Sequence, residues 1–273
     1  MYVLELEVPQ ELADRLVAEL WERGTRGIIE EAGTEGRLRL RAYFDAPFPA
    51  EQLGVPEARW QYEEPKNWAR LVMEEWEPIL VGQRFFVAPA WRQEPTPTGR
   101  LRLVVYPGAA LGTGYHPTTQ MCLEAMEVHL RPSDVFLDVG TGSGILCQAA
   151  WLLGTRRLVG CDTDPEAVQI ARENLILRER IPALLYVGSI DAMRWQTATV
   201  AAANIGPGAL IELAEKFAMV LRTDGVLLAS GFESEEAADV RLAFERAGFR
   251  LCEERERQNW IFHLYRLSRA ARC

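Results

Sequence analysis

The chain opens on a stretch of strict alternation, Tyr2-Val3-Leu4-Glu5-Leu6-Glu7-Val8, whose period of two predicts a half-buried strand. Pro9 then starts a helix through Gln10–Trp21 with apolar residues at helical spacing, and Gly24 ends it. Strands are expected at about 25–31 and 37–44, joined by a turn at Gly33-Thr34-Glu35-Gly36. A short helix near Ala50–Leu53 and a strand at about 58–63 follow. This β-α-β-β-α-β order is that of a small α+β, ferredoxin-like module. Residues 1–64 hold no nucleophile, metal cluster or glycine loop, so binding is expected of them, not chemistry.

The pattern then changes. Residues 65–98 read as a linker: a helix over Asn67–Trp76 closed by Pro78, with Trp68 and Trp76 two turns apart on one face as a packing pair, and a turn-rich run, Gln93-Glu94-Pro95-Thr96-Pro97-Thr98-Gly99. From residue 99 to 273, strand and helix patterns alternate. Strands are expected at 100–105, 135–139, 158–162, 183–187, 199–203 and 225–230, with helices from Pro117, Ser143 and Pro165, one ending at Leu221, and one at 233–247. Two terminal strands close the chain at about 249–256 and 260–266. Such alternation implies an α/β domain built on a mostly parallel, doubly wound, Rossmann-like sheet.

Composition narrows the class. Of 273 residues, 48% are apolar, yet no unbroken apolar run approaches the length that spans a bilayer, so a soluble globular protein is expected. The first residues lack a basic segment followed by an apolar core, so no secretory signal is expected. Cys122, Cys147, Cys161, Cys252 and Cys273 show no metal-like spacing and read as reduced thiols of a cytoplasmic protein; no metal is expected. The net charge of −9 disfavours tight non-specific nucleic-acid binding and suits a basic partner, though ordinary solubility accounts for it equally well.

The candidate chemistry begins at Val135-Phe136-Leu137-Asp138-Val139-Gly140-Thr141-Gly142-Ser143-Gly144-Ile145-Leu146, an apolar run, a glycine turn and a helix start. Gly140 and Gly142 allow a tight turn and let a ligand lie against the main chain, and the helix behind them aims free N–H groups at it. Asp162 ends the next strand, where a carboxylate accepts hydrogen bonds from ribose hydroxyls. Asp191, after the third strand, is a candidate acceptor for an adenine amino group, and a turn aspartate is the alternative. Asn204, after the fourth, would emerge on the same edge; its amide carbonyl could hold an amine N–H and aim the lone pair, which makes it the catalytic candidate. A cap at the strand's C-terminal end, with turn glycines after it, is the lesser alternative. The loop Gly112-Thr113-Gly114-Tyr115-His116-Pro117-Thr118-Thr119 precedes this β-α-β and could fold over the cleft, with His116 a candidate proton acceptor.

The third glycine comes one residue earlier than in the dinucleotide fingerprint G-x-G-x-x-G, as Asp138-x-Gly140-x-Gly142-x-Gly144. That form resembles motif I of the class I S-adenosylmethionine (SAM) methyltransferases. A nicotinamide dinucleotide site and a purely structural turn are the alternatives. Taken with Gly112-Thr113-Gly114-x-His116-x-Thr118-Thr119, Asp162-x-Asp164-Pro165 and Asn204-Ile205, the chain resembles the ribosomal protein L11 methyltransferase (PrmA) family over essentially its whole length.

The resemblance implies a recognition domain, a linker and a SAM-dependent catalytic domain that methylates α- and ε-amino groups of a basic ribosomal protein. It places SAM contacts at Thr119, Gly140, Asp162 and Asn204, with Thr113 and Gly142 in the neighbouring loops. Leu111 stands where the family usually has Phe, Val72 replaces a second linker tryptophan, and the loop Asn204-Ile205-Gly206-Pro207-Gly208 has its proline displaced. These departures leave room for a different acceptor lysine, a small amine, or a chain that binds SAM without catalysis.

Overall fold

The structure, a computed structural model, describes residues 1–33, 37–55, 58–62, 76–106 and 114–268. Thr113, Trp68 and the helix expected before Trp76 lie outside the described residues. The chain divides into two units, Met1–Glu75 and Trp76–Cys273.

The first unit contains β1 (Tyr2–Pro9), α1 (Gln10–Glu22), β2 (Gly27–Ala32), β3 (Arg37–Phe44), a 3-10 turn at Ala50–Leu53 and β4 (Arg59–Tyr62). Its sheet runs β2-β3-β1-β4 with antiparallel neighbours, the ferredoxin-like order. The second helix is a single turn because Pro49 before it and Gly54 after it leave no room for more. Leu4, Leu6 and Val8 alternate onto the α1 side, against Leu16, Leu20, Leu40 and Phe44. The intervening Glu5 and Glu7 point the other way and meet their register partners on β3, Arg41 at 2.8 Å and Arg39 at 3.1 Å.

The second unit starts with a three-stranded sheet, β5 (Ile79–Val81), β6 (Phe85–Pro89) and β7 (Leu101–Val105), in which β6 and β7 run parallel. Residues 79–89, expected to be part of a connecting segment, are therefore strands of this unit, and Val81, Phe85 and Val87 lie in its core. The Trp76 ring lies between Trp91 at 6.1 Å and Tyr115 at 5.3 Å.

The main elements then follow: α2 (Pro117–His129), β8 (Val135–Val139), α3 (Ile145–Leu152), β9 (Arg157–Asp162), α4 (Pro165–Arg172) with a π-helical extension to Arg178, β10 (Leu184–Val187), β11 (Ala198–Asn204), α5 (Pro207–Val220), β12 (Leu221–Glu233), α6 (Ala237–Arg246), β13 (Phe249–Arg257) and β14 (Trp260–Leu267). The sheet order is β10-β9-β8-β11-β12-β14-β13. The first five strands are parallel; β14 is antiparallel to both β12 and β13. Gln258 and Asn259, with φ of 52° and 68°, form the tight turn that reverses the chain between the last two strands.

Both faces of this sheet are covered, which is why its strands read as unbroken apolar runs. Phe136, Val200, Ala202 and Leu228 face one core with α2 and α3; Leu137, Val139, Ala201, Ala203 and Leu227 face the other with α5 and α6. The order of connection reverses where β8 lies between β9 and β11, and in sheets of this kind the carboxyl ends of the strands at that point border the ligand crevice.

Candidate active site

The turn after β8 occupies that crevice. Gly140 and Gly142 have φ of 72° and 53°, a region that a side chain makes costly. A Cβ on Gly140 would clash with Ile205 Cγ2, so Ile205 packs directly against the main chain there. The Gly140 and Thr141 amides both donate to the Cys161 carbonyl at 2.9 Å and tie the turn to the end of β9. Gly144, at φ 83°, keeps the helix from starting before Ile145, two residues later than the pattern predicts.

Asp162 ends β9, half-exposed, with Oδ2 accepting from the Gly142 amide at 3.0 Å and Oδ1 from the Asp164 amide at 3.1 Å. Asp164 caps α4 by accepting from the Glu166 amide at 2.8 Å. Each carboxylate oxygen of Asp162 retains a lone pair for another donor.

Across the crevice, Asn204 ends β11, and its amide Nδ2 donates to the Thr119 hydroxyl at 3.1 Å. Thr119 belongs to the first turn of α2 and is buried. This bond joins two predicted site residues from elements far apart in sequence. Among the described residues no hydrogen bond engages Asn204 Oδ1, so the amide is held by its nitrogen with the carbonyl oxygen uncommitted. Ile205 follows, its N–H donating to the Ser230 carbonyl of β12 at 3.0 Å. The displaced Pro207 is the first residue of α5, a position that needs no N–H.

His116 is not free for proton transfer through Nδ1, which lies 2.7 Å from the Thr118 hydroxyl and accepts from the Thr118 amide as the cap of α2. Its ring meets Trp260 edge-on at 4.8 Å. Asp191 sits in a 3-10 turn after β10, exposed, with Oδ2 taking a salt bridge from Lys216 of α5 at 2.9 Å. The structure thus joins Gly142 to Asp162 by a hydrogen bond, with Gly140 bonded to the adjoining Cys161, and joins Thr119 to Asn204, whereas Asp191 is paired with Lys216.

One group was hidden inside the motif. Asp138 is 1% exposed; Oδ2 accepts from the Thr141 hydroxyl at 2.8 Å, while buried Oδ1 has no hydrogen-bond partner among the described residues. Burial raises its pKa to about 6, opposed by the Thr141 hydroxyl and by Cys147 and reinforced by the charge of Asp162. The available signal was a carboxylate inside Phe136-Leu137-Asp138-Val139, since an aspartate is rarely buried unless paired.

A family model for ribosomal protein L11 methyltransferase (PrmA) matches residues 38–267. The chain belongs to the PrmA family. The ribosomal protein L11 methyltransferase of Azotobacter vinelandii is 39% identical to it over 76% of this chain and 70% of its own length. That of a Synechococcus strain is 34% identical, covering 94% of each. The crystal structure of a ribosomal protein L11 methylase from Lactobacillus delbrueckii subsp. bulgaricus superposes with a TM-score of 0.65 at 25% identity, over 71% of this chain and all of that one. PrmA membership makes this chain a methyltransferase, and its parallel, two-sided sheet is the Rossmann-like fold of such enzymes. Among the described residues, no helix is long and apolar enough to cross a membrane.

Proposed function

We propose that the enzyme transfers methyl groups from SAM to lysine ε-amino or N-terminal α-amino groups of ribosomal protein L11, in the cytoplasm. The observation that carries this is the facing pair of features on one sheet edge: a bare glycine turn tied to Asp162, and Asn204 held through its amide nitrogen. The turn leaves no room for a side chain at Gly140, where Ile205 packs against it, and the buried carboxyl of Asp138 lies beneath it, with no hydrogen bond to its Oδ1 among the described residues. Both features suit a cationic donor with an amino-acid tail.

In this reading, Gly140 and Gly142 present main chain to the tail, and Asp162 accepts from the ribose hydroxyls. Asp191 takes the adenine amino group on the oxygen that Lys216 leaves unused, and Thr119 lines the near side. SAM supplies an electrophilic methyl on a sulfonium. The chain's share of catalysis is then orientation and exclusion of water. Asn204 Oδ1 accepts one N–H of the neutral acceptor amine and directs its lone pair at the methyl, while the Thr119 hydroxyl keeps the amide from rotating. An alkylammonium must lose a proton first, since its pKa is about 10.4 in water, and desolvation in the crevice lowers that value. No residue on this edge is assigned as a dedicated base.

The test is transfer of labelled methyl from SAM to purified L11. Asn204→Ala is expected to lower kcat about a hundredfold, the cost of a misplaced acceptor, with weaker effects on SAM affinity. Transfer to another amine but not to L11 would replace the substrate assignment, and SAM binding with no transfer to any acceptor would reduce the chain to a sensor.

A further inference from the structure

Ile205 touches both sides of the crevice. Its side chain lies over Gly140 so closely that a Cβ on that glycine would collide with Cγ2. Its main chain is fixed from the opposite direction. The N–H donates to the Ser230 carbonyl at 3.0 Å, and a Cβ on Gly231 would come within 2.5 Å of the Ile205 carbonyl oxygen and 2.9 Å of its nitrogen. Gly231 has φ 102°, and the pairing of β12 with β14 shifts register between Ser230 and Phe232. The bulge in β12 thus makes the space in which the Ile205 backbone lies.

We propose that Ile205 is a positioning residue that sets the separation between the glycine turn and the amide of Asn204. A half-buried, β-branched side chain has few rotamers, so it transmits the position of β12 to the turn stiffly. Asn204, one residue earlier, is fixed by the same backbone anchor and by Thr119. Ile205 contributes no group to the chemistry; it keeps donor side and acceptor side at one distance. This rests on the methyl-transfer reading above for its effect on rate, but not for its effect on geometry.

The test compares full-length wild type with Ile205→Ala and Ile205→Val. With SAM and L11 saturating, the alanine variant is expected to lose about tenfold or more in kcat, because in-line transfer is sensitive to sub-ångström displacement, while SAM Kd changes less than about threefold. The valine variant, which keeps Cγ2, is expected to recover most of the rate. In ligand-free protein, the NMR resonances of the Gly140 amide and the Asn204 side-chain NH2 should both shift in the alanine variant and return in the valine variant. Unmoved resonances in a folded alanine variant overturn the proposal. So do a kcat within about twofold of wild type, or a SAM affinity that falls as far as the rate, which would make Ile205 a donor contact. If wild type transfers no methyl yet the two resonances respond as described, the functional reading fails and the coupling stands.

Discussion

Asp138→Asn separates a buried charge from its surroundings. In the folded, ligand-free protein the carboxyl titrates at about 6 instead of 3.8, chiefly because burial removes water from the ionised form. A raised folded pKa means that the proton favours the folded state. The group's stabilising contribution is therefore complete below about pH 3.8 and is lost as pH rises to about 6. The shift of roughly two pKa units, at about 1.4 kcal/mol each, sets the loss at ~3 kcal/mol in order of magnitude. Asparagine has nearly the same shape and no titration. It leaves a constant offset, since its NH2 must replace an oxygen that already lacks a partner, but it removes the slope. Urea unfolding of both proteins from about pH 4 to 7.5 should therefore show the variant gaining on wild type by up to ~3 kcal/mol, then levelling above pH 6. A difference that stays flat across this range would show that Asp138 is not held protonated by the fold. SAM binding should also release a proton near pH 6, because a cation beside Asp138 favours its charged form.

His263 is fully buried, with Nδ1 2.7 Å from the Tyr265 hydroxyl and Nε2 2.8 Å from Glu254. Burial lowers its pKa despite the Glu254 hydrogen bond, so its contribution to stability is full above about pH 6.5 and is lost below it. His263→Gln should flatten the fall in melting temperature between about pH 7 and 5.5, and an unchanged slope would contradict this. Both cores of the second unit are built from its own residues, so a chain of residues 76–273 should fold and bind SAM about as tightly as the intact protein. The same fragment should fail to methylate L11, and full activity on the protein substrate would remove the recognition role from the first unit.

What the sequence disclosed followed how local the cause was. The β8 turn and Asp162 were legible because an apolar run, a glycine turn and a carboxylate are each set by neighbouring residues. The antiparallel placement of β14 between β12 and β13 was not, since alternation marks a strand without naming its partners. Strands β5 and β6 went unread as part of the second unit because they lie in an apparent linker and are defined by pairing with β7. The end of α4 widens into a π-helical turn over Glu173–Arg178 that no periodicity shows. At the site, the bond between Thr119 and Asn204 spans 85 positions; the family resemblance named both residues but not the bond that joins them. The contact of Ile205 with Gly140 and the orphaned oxygen of Asp138 are properties of packing, outside the reach of spacing.

The anchoring of Ile205 to Ser230 also bears on how the enzyme is born. A nascent chain that has emerged only as far as α5 already holds Thr119, the glycine turn, Asp162 and Asn204, yet lacks the strand that clamps the last of these. The glycine turn and Asp162 are thus in place before Asn204 gains the support of β12. Translation adds about 5–20 residues per second, so this immature interval lasts seconds and ends only once β12 has emerged.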